Sequence, residues 1–147
     1  MSAESNWNVE EVRVGDELVL KAVNRLLPQL SSRAEPLSLA GFRELVESEA
    51  SHLLIAKDAI GEIGAMLTLV IFPIPTGRRA WIEDVVVDES RRGLGLGRLI
   101  TEEAIRLART QGVATIDLTS RSSRKAAHAL YESVGFVVRD TNVYRFE

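Results

Sequence analysis

Glycines at 93, 95 and 97 alternate within the stretch WIEDVVVDESRRGLGLGRL, Trp81 to Leu99, and this feature most restricts what the chain can become. The residues before it, Trp81 to Val87, read as a buried strand. Those after it begin a helical stripe of Leu96, Leu99, Ile100, Ala104, Leu107 and Ala108. A strand must therefore turn sharply into a helix through backbone without Cβ atoms, which tolerates unusual φ values and close approach by a ligand. The first N–H groups of a helix have no partner inside it, and the helix dipole is positive at that end. Arg91, Arg92 and Arg98 add fixed charge around the turn. The amides from about Gly93 to Arg98 thus form a candidate cradle for a phosphate-type anion. A bare tight turn is the competing reading. A P-loop is excluded because Gly97 is followed by Arg98 and Leu99, and a G-x-G-x-x-G fingerprint fails at Arg98 in one frame and at Ile100 in the other.

The flanking sequence predicts a mixed α/β domain over residues 1–147. Val9 to Val14 reads as a first strand. Asp16 is positioned to cap a helix whose stripe includes Leu18, Val19, Val23 and Leu26, with Pro28 expected to stop it. Ser38 starts a second helix. His52 to Lys57 and Glu62 to Phe72 are strands around a turn at Asp58 to Gly61, and the nearly unbroken apolar run from Ala65 predicts a central strand covered on both faces. Pro73, Pro75 and Gly77 predict a hairpin loop. Gly112 ends the helix after the cradle, Thr115 to Thr119 is a short strand, and Ser123 is the expected cap of a last helix ending at Gly135. Phe136 to Arg139 and Val143 to Phe146 read as a closing pair of strands.

Composition narrows the function. The chain of 147 residues has no cysteine, so thiolate metal sites and a cysteine nucleophile are excluded, and its two histidines lack metal-ligand spacing; no metal is expected. A net charge of -3 argues against general nucleic-acid binding. No apolar run reaches membrane-spanning length, and the first residues lack the pattern of a signal peptide, so no membrane partner and a cytoplasmic location are the expectations.

Two motifs together resemble the GNAT superfamily of N-acetyltransferases. Arg92, Gly95 and Gly97 match its signature of Gln or Arg, two residues, Gly, one residue, then Gly or Ala, placed after a strand and before a helix. The segment AAHALYESVGF, Ala126 to Phe136, matches a second feature: a late helix bearing a Tyr, here Tyr131, followed by Gly135 and Phe136. The resemblance covers roughly Ser51 to the C-terminus. It implies a central, mostly antiparallel sheet with one splayed parallel pair and four flanking helices. It also implies acetyl-CoA as co-substrate, its diphosphate on Arg92, Gly93, Leu94, Gly95, Leu96, Gly97 and Arg98. Pantetheine would pair with the backbone of Val85, Val86 and Val87 like an added strand. Many members carry an Asn that contacts the cofactor seven residues before the Tyr; Arg124 stands there in this chain, where 3′-phosphate contact and a solvated helix end are both open readings. Members are often dimers, so a homodimer is possible.

The implied activity is acetyl transfer to a primary amine by direct attack in a ternary complex, a small-molecule amine or amino sugar being favoured. A protein N-terminal or lysine acetyltransferase and a non-catalytic acetyl-CoA sensor are the alternatives. Tyr131 matches the family's general acid; an ordinary phenol is protonated at neutral pH and can donate. An acceptor ammonium must also lose a proton. Side chains alternate along a strand, which puts Trp81, Glu83, Val85 and Val87 on one face and Ile82, Asp84 and Val86 on the other. Glu83, with the longer reach, is the candidate base; Asp84, a water chain, or a purely structural role for both acids stay open. Pro28 to Ser38, Pro73 to Arg79 and Asp140 to Asn142 are expected to border the acceptor.

Overall fold

The computed structural model describes residues 6–147. Five strands form one sheet in the order β1-β2-β3-β4-β5: β1 is Asn8–Glu11, β2 Ser51–Lys57, β3 Ile63–Ile74, β4 Gly77–Val87 and β5 Ile116–Leu118. The first four pair antiparallel, and β5 joins β4 in parallel. The α-helices are α1 Glu17–Leu30, α2 Leu39–Glu47, α3 Leu96–Thr110 and α4 Lys125–Val134.

Helices α1 and α2 begin where a side chain can satisfy an orphan amide. Asp16 accepts from the Leu18 amide at 2.8 Å and Ser38 from the Gly41 amide at 3.1 Å. Val19, Val23 and Leu26 of α1 pack with Phe42 of α2 on one side of the sheet. Leu96, Ile100, Ala104 and Ala108 of α3 pack on the other. The run in β3 serves both: Leu67, Leu69 and Ile71 face α3, while Met66 faces α1 and α2. This is why β3 shows no polar alternation.

Several sequence-based expectations change, the first strand among them, which ends at Glu11 rather than Val14. Pro28 lies inside the last turn of α1, which runs on to Leu30; proline removes one helical donor but its φ is compatible with a final turn. Pro73 pairs with Arg78 and stays within β3, so the hairpin loop shrinks to Pro75 and Thr76. Ser123 does not cap α4; Arg124 occupies the cap position without a side-chain hydrogen bond. The two closing strands are absent among the described residues. Val137, Val138, Val143, Tyr144 and Phe146 have strong β propensity, yet all are largely exposed. Propensity becomes a strand only where a partner ladder exists, and none forms against the three-residue β5.

Candidate active site

The parallel pair opens into the site. β5 stops at Leu118, opposite Ile82, while β4 continues for five more residues to Val87. On that edge, Glu83 to Val87 have no strand partner. Their other edge is held by β3, through pairs such as Met66 with Val86 and Ala65 with Val87. A strand hydrogen-bonded on one edge only offers the groups of its free edge to an extended ligand.

Within this stretch, Asp84 has a φ of 51°. Thr68 pairs with Glu83 and Met66 with Val86, so Leu67 alone stands opposite both Asp84 and Val85. The extra residue makes a β-bulge, and the short side chain of aspartate makes left-handed backbone less costly than most residues would. The bulge corrects the expected alternation. Ile82 lies in the α3-side core, and Val85 and Val87 pack against that same core, whereas Val86 lies in the core beneath α1 and α2. Glu83 therefore shares the face of Trp81 but not that of Val85 and Val87. Both Glu83 and Asp84 are exposed, and neither lines the cleft described next.

After β4, one 3-10 turn over Glu89–Arg91 leads into the glycines. Gly93 and Gly95 have φ of 81° and 79°, with open space where a Cβ would lie. Backbone conformation alone requires glycine at these two positions. Gly97 is different: a Cβ there would come within 2.9 Å of Leu130 on α4. It lets α4 pack close to the start of α3, a requirement invisible in the motif. The first intrahelical bond runs from the Leu99 amide to the Gly95 carbonyl at 3.0 Å. The amides of Leu96, Gly97 and Arg98 consequently have no acceptor within the helix.

These groups border a cleft of about 830 Å³. Val85, Val86 and Val87 line it together with Arg92, Gly93, Gly95, Leu96, Gly97, Arg98, Arg124 and Tyr131. Leu94, expected in the same group, is half-exposed and outside the lining. The arginines are not equivalent. Arg91 is committed to Glu62 at 3.0 Å and Asp58 at 3.7 Å, and it lies over the Trp7 ring. Arg98 is held by Glu102 at 2.9 Å and Ser133 at 3.3 Å. Arg92 has no ion-pair partner among the described residues. Arg124 reaches from the start of α4 to the Leu30 carbonyl at 3.3 Å, where it satisfies an orphan acceptor at the end of α1. The lining also includes Gln29 and Leu30 of α1. No local motif marks those two, because their contribution depends on how α1 docks.

Tyr131 stands where the cleft meets a second cavity of about 380 Å³, lined among others by Trp81, Asp117, His128 and Glu132. Its position is fixed by the way α4 ends. The Phe136 amide donates to the Tyr131 carbonyl at 2.9 Å and the Gly135 amide to the Glu132 carbonyl at 3.1 Å, with Gly135 at φ 116°. This is a Schellman motif, which brings together the side chains flanking its glycine. Here they are Tyr131 and Phe136, edge to face with ring centroids 5.9 Å apart. The Tyr…Gly-Phe pattern is thus a helix stop that also orients a phenol. Burial raises the Tyr131 pKa above the ordinary phenol value, with the Arg124 charge opposing it.

With this geometry in view, comparison with known proteins is informative. Residues 19–136 match the Acetyltransferase (GNAT) family, and the chain belongs to it. It is 33% identical over 127 residues to glucosamine 6-phosphate N-acetyltransferase 1 of Oryza sativa subsp. japonica, covering 80% of this chain and 74% of that protein. It is 34% identical over 133 residues to the glucosamine 6-phosphate N-acetyltransferase of Trypanosoma brucei brucei, covering 86% and 88%. The solved glucosamine-6-phosphate N-acetyltransferase from Arabidopsis thaliana has the same fold, with a TM-score of 0.79 at 21% identity over 95% of this chain and 97% of that one. Other matches cover less: the matched region spans 25% of the length of one curated relative and 38% of another. No helix among the described residues is long and apolar enough to cross a membrane.

Proposed function

We propose that the protein transfers the acetyl group of acetyl-CoA to a primary amine, with a small amino sugar as the favoured acceptor class. The observation that carries this reading is convergence. The free edge of β4, the unpaired amides of Leu96 to Arg98 and the Tyr131 ring all border one cleft. The amides would take the CoA diphosphate, and the backbone of Val85 to Val87 would take pantetheine as an added strand. A backbone N–H of the same stretch would stabilise the oxyanion formed on attack. The amine nitrogen bonds to the thioester carbon, the carbon–sulfur bond breaks, and the sulfur takes the phenolic proton of Tyr131. The nitrogen sheds its own proton to a base. Glu83 is the candidate for that role: it lines neither cavity itself but lies on the face of Trp81, which lines the second.

The second cavity suits the acceptor: it adjoins Tyr131 and holds the carboxylate of Glu132, complementary to an ammonium group, beside that of Asp117, which lies 3.6 Å from Arg139 of the same lining. The amino-sugar preference draws its support from the Oryza and Trypanosoma relatives. A homodimer fits the C-terminal segment, where Val137, Val138, Tyr144 and Phe146 are 83–101% exposed on backbone without a strand partner; sedimentation as a monomer at high concentration rejects it.

The test is calorimetric titration with CoA and acetyl-CoA, followed by thiol release with a panel of amines that includes glucosamine 6-phosphate. Absence of heat with either nucleotide removes the cofactor assignment. Binding without turnover on any amine leaves a sensor.

A further inference from the structure

The end of β4 is fastened to a distant part of the chain by a polar cluster centred on Asp88, which lies outside the cleft lining. Asp88, the first residue after β4, is among the few buried polar side chains of the described residues. Its carboxylate accepts from the Arg25 guanidinium of α1, from the Ser90 amide at 3.2 Å and from Gln29 at 3.4 Å. The same guanidinium donates its second NH₂ group to the Ile63 carbonyl at 2.7 Å, so Arg25 joins the start of β3 to the end of β4. Gln29 is also two-handed: its amide oxygen accepts from the Glu89 amide at 2.9 Å. On the other flank, Arg91 is held by Asp58 and Glu62 from the turn between β2 and β3. The chain from Asp88 to Arg91 is thereby fixed on both sides, and only then does it enter Gly93 and Gly95.

We infer that Arg25 and Gln29 are positioning residues for the cofactor cradle, acting through Asp88 and the Glu89 amide. The inference rests on the reading that the turn at 92–98 takes the CoA diphosphate. The physical need is clear. Two glycines at positive φ make the turn the most permissive backbone near the site. Amides that must converge on one anion bind it well only if they are ordered before it arrives. The sequence supplies no rigid residue between Arg92 and Gly95, so order is imposed upstream, at Asp88. A buried carboxylate suits this task because it has strong geometric demands and cannot rearrange without losing charge-assisted bonds. Arg25 suits it because a planar guanidinium can serve Asp88 and Ile63 at once, which a lysine ammonium cannot do with the same geometry.

Helix α1 carries a further tie. Asn24 donates to the Leu37 carbonyl at 3.0 Å and accepts from the Leu37 amide at 2.8 Å. Adjacent residues of one helix thus hold the loop after α1 and the cofactor turn in a fixed relation.

The experiment compares wild type, Arg25→Met, Arg25→Lys and Gln29→Ala in the full chain. It measures Kd for CoA by calorimetry, kcat and KM for acetyl-CoA by thiol release, and Tm. Arg25→Met should raise Kd and KM together by about tenfold while kcat at saturation stays within threefold, because the reacting groups are untouched. Arg25→Lys should recover part of that loss. Gln29→Ala keeps the Arg25–Asp88 ion pair, so it remains usable if Arg25→Met does not fold; it should raise KM about threefold. A lowered Tm with unchanged Kd and KM in the folded variants overturns the inference. Wild type that binds no CoA removes the cradle reading along with this one, whereas wild-type binding matched by Arg25→Met and Gln29→Ala removes this one alone.

Discussion

Replacing Tyr131 by phenylalanine isolates the phenol as proton donor. The change deletes one oxygen and keeps the ring, so the edge-to-face contact with Phe136 and the Schellman closure through the Gly135 and Phe136 amides are retained. No hydrogen bond to the Tyr131 hydroxyl is present among the described residues, so folding loses no buried partner. The stability change should stay within about 0.5 kcal/mol. General acid catalysis typically contributes at least about 10²-fold, equivalent to about 2.7 kcal/mol of barrier. The expected result is a kcat about a hundredfold lower, with KM for acetyl-CoA nearly unchanged. The pH profile supplies a second signature. Burial raises the Tyr131 pKa, so the phenol stays protonated through neutral pH, and wild-type kcat should fall only above about pH 10. That alkaline limb should vanish in the variant. The assay is thiol release at saturating substrates from pH 6 to 11, with Tm measured alongside. A variant of wild-type Tm whose kcat is within threefold, or whose alkaline limb persists, would refute the assignment.

The glycines should separate by mechanism. Gly95→Ala places a Cβ at φ 79° and should cost about 1–2 kcal/mol in denaturant unfolding, together with CoA affinity. Gly97→Ala should instead be rescued in part by Leu130→Ala, since the clash at 2.9 Å is with that side chain; an additive double variant would rule out the packing explanation. Glu83→Gln should lower kcat/KM toward neutral pH if Glu83 takes the amine proton, and an unchanged pH profile removes it from the mechanism. For Asp88, burial opposes the charge, but hydrogen bonds from Arg25, Ser90 and Gln29 outweigh it and hold the pKa below the ordinary value. A depressed folded pKa stabilises above the unfolded value of about 3.9 and loses that stability as pH falls through the folded one. Asp88→Asn should therefore flatten the acid limb of unfolding stability below about pH 4, and an unaltered limb would contradict the ion pair.

The letters of the chain settled the elements that depend on local chemistry. Asp16 and Ser38 are caps because their oxygens reach amides two or three residues away. The run from Ala65 is a central strand because both faces must be apolar. Gly93 and Gly95 mark the turn because only glycine adopts that φ cheaply. Tyr131, Gly135 and Phe136 are close in sequence, so their motif is legible without the fold. What required the tertiary structure were features made by distant partners. The bulge at Asp84 exists only against Leu67, and it reversed the faces of Val85 and Val87. Gly97 answers to Leu130, thirty-three positions away. Arg25, Gln29 and Asp88 meet only because α1 crosses the end of β4, and the C-terminal valines form no strand because no neighbouring edge pairs with them. Hydrogen bonds within a turn are encoded where they occur, whereas contacts across a sheet or between helices depend on the placement of every element between them.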